Sequence, residues 1–383
     1  MYGTAYAIWS SAGAAPMPDR RVVVWRSAML PASETFIRNQ ADSLSRWQPL
    51  YVGATRIDSV LARDTDVIAF PAPADDRAFL RLRLTGSSPH LRKILADVRP
   101  QLVHAHFGGD GWLVSAAAAR AGVPLVVTLH GHDVTRQPSS TGPKGVRYRR
   151  NLRTVFRRAH LLVAVSEVIR EQAIRWGADP AKVRVHHTGV PLPAVVPALS
   201  KRFDVAFVGR FVEKKGTDDL VAALASLGRP ASAVFIGDGP RLAETQGYAR
   251  RLDVDATFLG ARPADEVYRL LGESRVLAAP SRTAADGDTE GLPTTIVEAM
   301  ALGLPVVSTR HSGIPEAVHD GVTGLLGAEG DRDALAANLR KLLDDQNLRT
   351  AMGTAARARA EADFDVVKQS RRLEDLYDEV AAR

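Results

Sequence analysis

The chain contains no cysteine among its 383 residues, which excludes disulfide staples and thiolate metal centres. No run of 18 apolar residues occurs, so no stretch is built to cross a bilayer as a helix. Neither a Walker pattern nor G-x-G-x-x-G is present, so the usual NTPase and dinucleotide fingerprints are missing. Aromatics make up only 6% and are not interleaved with the basic stretches as a base-stacking platform requires, so no nucleic-acid partner is expected. Acidic residues are in the minority, 43 against 50 Lys and Arg, for a formal charge of +7. That balance favours acidic partners such as nucleotides or anionic lipid. Residues 1–20 lack both a basic n-region and an apolar h-region; they are read as a disordered leader, not a signal peptide.

A length of 383 residues with 45% apolar content calls for two cores rather than one. Short β-branched runs at 22–25, 50–53, 67–70, 101–106, 124–129, 160–165 and 182–187 alternate with helical patterns, which predicts a doubly wound parallel sheet over 21–196. The segment 75–84 is charged and irregular and is expected to be mobile. The proline-rich stretch Pro191 to Arg202 can neither continue a helix nor sit mid-sheet, and marks the domain boundary. A second domain over 197–364 restarts the alternation at 203–208, 233–236, 257–260, 276–279 and 304–308. Helical patterns then close the chain, the last at about 365–383.

The chemistry-bearing residues fall in turns after strands, where open α/β sheets bind ligands. DGDTEGLPTTIVEAMALGLPVVSTRHS, from Asp286 to Ser312, reads as an acidic loop, a helix with Pro293 at its first position, a glycine stop and a buried strand. The amides at Thr294 and Thr295 would form a phosphate cradle. Glu290 before that helix and Glu298 along it are placed to grip a sugar and a ribose. GRFVEKKG, Gly209 to Gly216, sets Arg210 and Lys215 just past a strand, where two cations can neutralise a diphosphate. In SETF, Ser33 reads as an N-cap with Glu34 in the first turn; a capped helix and a ligand contact are both open. His104 and His106 lie on one face of a strand, as a metal pair or, better, a buried hydrogen-bonded pair. Asp286 and Asp288 lack EF-hand spacing and are read as loop structure. The helix 144–158 holds seven Lys or Arg and no acid, either a surface for anionic lipid or a solvated face.

EGLPTTIVEAMALGLPVVST followed by HSGIPEAVHDGVTGLL resembles the retaining glycosyltransferases of family 4, whose Glu-x7-Glu signature falls on Glu290 and Glu298. TAADGDTEGLP and the SETF loop resemble the subgroup that builds exopolysaccharides of the colanic-acid type. The resemblance implies a GT-B fold, with two Rossmann-like doubly wound domains facing across a cleft and a last helix crossing back to the first. It implies sugar transfer from a nucleoside diphosphate sugar, UDP- or GDP-linked, with no cofactor and no metal. His130, opening an HG-x-D pattern, becomes the active-site histidine and Asp133 its companion acid. Arg210 and Lys215 fall on the diphosphate, with Gly209, Gly291, Leu292, Thr294 and Thr295 completing the donor loops. Gly237 and Arg262 neighbour the base, and Glu34 and Thr35 face the acceptor, a carbohydrate, lipid-linked or small molecule. Pro191 departs from the acid that family members often place after Gly-Val. The expected location is cytoplasmic, with peripheral contact at the inner membrane face through 144–158. A nucleotide-sugar epimerase on the same fold and a non-catalytic sugar- or lipid-binding module are the alternatives.

Overall fold

Strands that are apolar on both faces must be covered by helices on both sides, which favours parallel sheets. Val22–Trp25 is such a run, every residue buried, and Leu125–Leu129 and Leu161–Ala164 are alike. A computed structural model describes residues 20–71, 75–195 and 199–382. Its first sheet contains β1 (Arg21–Ala28), β2 (Gln48–Thr55), β3 (Val67–Ile68), β4 (Leu102–His106), β5 (Leu125–Leu129), β6 (Leu161–Ala164) and β7 (Val183–Val185). They pair wholly in parallel in the order β3-β2-β1-β4-β5-β6-β7. The second holds β8 (Phe203–Val208), β9 (Ala233–Ile236), β10 (Ala256–Gly260), β11 (Ser274–Ala279), β12 (Val306–Thr309) and β13 (Gly324–Gly327), again parallel, in the order β10-β9-β8-β11-β12-β13. Strand order reverses between β1 and β4 and again between β8 and β11, and each reversal opens a crevice at the carboxyl ends.

The two doubly wound sheets match the expected architecture, and so does the return of the last helix. Val366–Ala381 lies on the first sheet, where Leu373, Tyr377 and Val380 pack with Val22, Leu102, Val126 and Val163. Its Glu374 is fully buried and accepts the backbone N–H groups of Ser45, Arg46 and Trp47 at 2.5–3.1 Å. The Tyr377 hydroxyl lies 2.6 Å from His104 Nδ1.

Three local expectations are corrected. The segment read as mobile forms a helix, Asp76–Thr85, ended by Gly86 in the left-handed conformation. Leu82 is fully buried and the Phe79 ring lies tilted against Phe70 at 5.6 Å, which anchors it. Ser33 does not cap a helix. It lies in a short 3-10 turn, Ala32–Glu34, and the following helix, Thr35–Asp42, starts without a side-chain cap. Pro293 is the N-cap of Thr294–Ala301 rather than its first helical residue, because its ψ of 114° is extended. Residues 1–19 of the leader and 196–198 of the linker lie outside the described residues.

Replacing Glu374 with Ala strips three backbone amides, that of Trp47 buried, of their acceptor. The expected loss is about 3 kcal/mol of unfolding free energy, read as a lower urea midpoint at unchanged slope. Glu374→Gln, which keeps an acceptor oxygen, should recover part of it.

Candidate active site

After β8 the chain turns at Gly209 and forms a 3-10 turn, Glu213–Lys215, that closes on Gly216. Gly216 has φ 60°, and a Cβ there would lie 2.0 Å from the Pro280 carbonyl oxygen, so only glycine fits. The turn aims Lys215 Nζ at Glu290 Oε1, 3.1 Å away. Glu290 is held by its backbone from the loop after β12. Its N–H donates to His311 Nε2 at 3.1 Å, and its carbonyl accepts the Ser312 hydroxyl at 2.6 Å. Because Nε2 of His311 accepts, Nδ1 carries the hydrogen and donates to Glu329 at 2.7 Å. Burial opposes charge on Glu290, but Lys215 and Lys214 outweigh it and hold the carboxyl below the usual range. Its Oε1 is buried and faces the Lys215 ammonium without a well-directed hydrogen bond.

Thr294 and Thr295, at the open amide end of their helix, line a cavity of about 640 Å³ together with Gly209, Gly237, Arg262 and Glu298. Gly237 has φ 134°, and a Cβ on it would lie 2.0 Å from the Gly209 carbonyl oxygen, so these two loops meet backbone to backbone. Burial pushes the Glu298 carboxyl up to about 7. Arg262 pairs with Glu266 at 3.4 Å. Arg210 is exposed and borders both this cavity and a wider cleft of about 870 Å³. Thr35, read as facing the acceptor, instead lines the smaller cavity. Leu292 is buried in the core.

The wide cleft takes its other wall from the first sheet, with Glu34, Asp110, His132 and Asp133 opposite Arg210 and Lys215. Asp133 is buried and accepts N–H groups from Gly108 at 2.9 Å, His130 at 3.1 Å and Gly131 at 2.9 Å. Its carboxylate thus fixes the turn after β5. His130 is half-buried between Phe36 and Phe107, with ring centroids at 5.0 and 4.5 Å, and its Nε2 lies 3.1 Å from His106 Nδ1. Burial, followed by the Arg26 and His104 charges, pushes its pKa down to about 3, so the ring is neutral. His104 and His106 share a face with ring centroids 4.4 Å apart. Both His104 nitrogens are engaged at 2.6 Å, by Tyr377 and Thr128, which is the hydrogen-bonded arrangement.

Arg26 and Asp110, at this wall, were not singled out by sequence reasoning. Arg26, at the end of the buried run of β1, binds Glu34 at 2.7 Å and also pairs with Asp110. Its guanidinium lies 4.5 Å from the Phe107 ring centre, and Phe107 has a positive φ of 72°. Burial, reinforced by Asp110, raises the Glu34 carboxyl above its ordinary range despite Arg26. The available signal was a lone arginine directly after VVVW, since a charge entering a core needs a partner.

The lobes touch through glycines. A Cβ on Gly291 would lie 2.1 Å from the His130 carbonyl oxygen and 2.8 Å from Val165. Gly313 donates its N–H to the Gly291 carbonyl at 3.2 Å. Glu316 reaches across to accept the Glu167 N–H at 2.9 Å and to pair with His187 at 3.0 Å. Asp286 pairs with Arg136 at 2.7 Å across the cleft mouth, and Asp288 with Lys214 at 3.2 Å. Gly291→Ala is therefore expected to wedge the lobes apart. Small-angle scattering should show a larger radius of gyration, and transfer activity should fall about 10²-fold, the scale of an ångström misplacement.

Comparison with known proteins covers both lobes. The family description "Glycosyltransferase Family 4" matches residues 33–193, and "Glycosyl transferases group 1" matches 193–359. The amylovoran biosynthesis glycosyltransferase AmsK of Erwinia amylovora is 31% identical over 265 residues, 67% of this chain and 64% of AmsK. The chain thus spans just under two thirds of the length of that relative. The putative colanic acid biosynthesis glycosyltransferase WcaL of Escherichia coli K12 is 32% identical over 299 residues, 74% of this chain and 72% of WcaL. In fold, Anabaena HepE, solved in complex with UDP, superposes with a TM-score of 0.76 over 94% of this chain and 100% of HepE at 22% identity. With Glu290 before and Glu298 on one helix, the Lys215 turn and both lobes in place, the chain belongs to family 4 of the glycosyltransferases and has the GT-B fold.

Proposed function

We propose that the chain is a retaining transferase that moves a sugar from a UDP- or GDP-linked donor to an acceptor hydroxyl, in the making of a polysaccharide or glycosylated natural product. The observation that carries this reading is the Lys215–Glu290 pair, 3.1 Å apart, with Lys215 lining the wide cleft alongside Arg210 and Glu290 four residues ahead of the helix Thr294–Ala301. A diphosphate seated there would meet two cations and the positive end of a helix, which favour the charge that develops as the sugar departs. Glu290 would orient the sugar, Glu298 would hold the ribose, and the His130 turn would close on the sugar from the opposite lobe. Gly237 and Arg262 would border the base. Glu34, in its network with Arg26, faces the cleft where an acceptor would lie.

No side chain is placed as a covalent nucleophile in this reading. The bond from the anomeric carbon to the phosphate oxygen breaks while a bond to the acceptor oxygen forms on the same face. The acceptor proton passes to the leaving phosphate oxygen. Arg210, Lys215 and the helix amides supply the positive charge, and the reading calls for no metal. The names of AmsK and WcaL support a role in exopolysaccharide synthesis, and the UDP in HepE supports a nucleotide-linked donor. The acceptor class is a carbohydrate, a lipid-linked saccharide or a small molecule. We place the enzyme at the cytoplasmic face of the membrane; no helix among the described residues is long and apolar enough to cross one.

Lys215→Ala should lower turnover by about 10²-fold or more, the scale of one lost transition-state charge contact. The assay is UDP or GDP release from a donor panel, with and without acceptors. Release in the Lys215→Ala variant at the wild-type rate would remove the diphosphate assignment. Donor conversion without any acceptor would favour an epimerase.

The Glu298 carboxyl gives a proton-linked test. Ribose hydroxyls donating to it favour the carboxylate, so binding should lower its pKa from about 7 and release a proton. Nucleotide affinity should then rise as pH climbs through that value and level off above it. Calorimetry with UDP and GDP near neutral pH, in two buffers of different ionisation heat, reads the proton directly. Glu298→Gln should remove the carboxyl's share of the buffer dependence, and a wild type no more buffer-dependent than that variant would remove the ribose assignment.

A further inference from the structure

A third cavity, of about 500 Å³, opens at the edge of the second sheet opposite the donor loops. Lys201 lies just before β8, Arg275 is the second residue of β11, and Pro305 directly precedes β12. The cavity thus sits at the amino ends of strands whose carboxyl ends lead to Lys215 and Glu290. Its other wall is one face of the helix Gln346–Asp363, which contributes Arg349 and Arg357. A Cβ on Gly353 would lie 2.2 Å from the Gly303 carbonyl oxygen, so this helix and the turn 302–305 meet backbone to backbone. Among the described lining residues four are Lys or Arg and none is Asp or Glu. Lys201 donates to the Gly272 carbonyl at 2.7 Å, Arg349 to those of Leu342 at 2.6 Å and Leu343 at 3.2 Å, and Arg357 to that of Ala301. Each of these carbonyls ends a helix, where a cation is favoured. Arg275 pairs with Asp204 at 3.1 Å and Arg357 with Glu361 at 2.5 Å. These bonds leave donors over, because an ammonium has three N–H groups and a guanidinium five. Burial, followed by the Arg275 and Arg349 charges, holds the Lys201 ammonium below its ordinary value, and burial followed by Arg275 does the same for Arg349.

We propose that this cavity binds the phosphate ester of a sugar, at a site separate from the donor cleft. A phosphate would take up spare donors of Lys201, Arg275 and Arg349 and relieve the repulsion among them. Leu304 and Pro305 add apolar lining, and Thr350 and Thr354 add hydroxyls beside it. That mixture fits a ring with C–H faces and hydroxyls better than a bare inorganic ion. The volume suits a small ligand and excludes a polymer. The cavity is also tied to the donor end of the lobe. The helix Thr294–Ala301 begins at the donor amides and ends at the turn 302–305. Arg357 holds the last carbonyl of that helix and donates to the Pro193 carbonyl, in the linker between lobes, at 2.9 Å. A ligand that engages Arg357 bears on both, which couples its binding to that of the nucleotide. The coupling rests on the sugar-transfer reading; the site itself does not.

The test is calorimetry on the full chain with glucose 1-phosphate and, separately, inorganic phosphate. Glucose 1-phosphate should bind more tightly than phosphate, and more weakly as salt rises. Lys201→Glu should weaken its binding by about tenfold or more, the scale of one charge-assisted hydrogen bond. Thr354 is exposed and its hydroxyl donates to the Thr350 carbonyl of its own helix. Thr354→Glu therefore sets a carboxylate at the anion's place without breaking a tertiary contact. It should weaken binding to a similar degree, with the circular dichroism spectrum unchanged. Absent binding in the wild type, or retained binding in either variant, overturns the proposal. So does binding that only Lys215→Ala removes, because the ligand would then lie in the cleft. Equal affinity for phosphate and glucose 1-phosphate overturns the sugar assignment. For the coupling, UDP or GDP affinity should change by about fivefold or more when glucose 1-phosphate is present, and by much less in Lys201→Glu. An unchanged affinity in the wild type defeats the coupling alone. Failure of both nucleotides to bind, while glucose 1-phosphate still does, defeats the donor-site reading alone.

Discussion

A buried carboxylate beside a half-buried ammonium is costly to desolvate and rewards neither partner unless the geometry is held for them. The Lys215–Glu290 pair imposes that condition on much of the second lobe. Lys215 comes from the turn after β8, Glu290 from the loop after β11, and the His311–Ser312 hydrogen bonds that fix Glu290 come from the loop after β12. β8 and β11 are the strands between which the order reverses, and β12 lies beside β11. Parallel strands deliver all three loops to the same edge, so the sheet topology makes the pair possible. His311 in turn depends on Glu329, past β13.

The same demand for close approach shapes the gap between lobes. Gly131, Gly291 and Gly313 let backbones meet where any side chain would intrude. Non-glycine residues with positive φ include Leu30, Phe107 and Ser312. Leu30 and Phe107 follow β1 and β4, on the first lobe's side of the cleft, and Ser312 binds Glu290 on the other. Backbone strain of this kind persists where surrounding contacts over-determine the loop. Asp133, with three amides, and Arg26, with two carboxylates, are such contacts.

Much of this was legible in the sequence because parallel strands buried on both faces read as unbroken apolar runs, as VVVW, LVVTL and AVFI do. Lys215, Glu290 and Glu298 were legible because each sits a fixed distance from such a run. Arg26 and Asp110 were not: 84 positions separate them, and pairing at that range leaves no local period. The enclosure of His130 by Phe36 and Phe107 likewise depends on one helix and two loops meeting. The helix at Asp76–Thr85 was hidden by its own chemistry. Phe79 and Leu82 mark one face, Leu80 and Leu84 another, and together they blur the helical period into what reads as disorder.

The returning helix bears on how such a chain is born. Residues 45–47 must wait for Glu374, 329 positions later, before their amides find an acceptor, and the His104 ring must wait for Tyr377. During synthesis the first lobe would emerge with one flank of its sheet bare, while the second lobe could finish its own strands first. The nascent protein then carries a sticky apolar face through most of translation, a natural target for chaperones. The order in which the lobes mature would be the reverse of the order in which they are made.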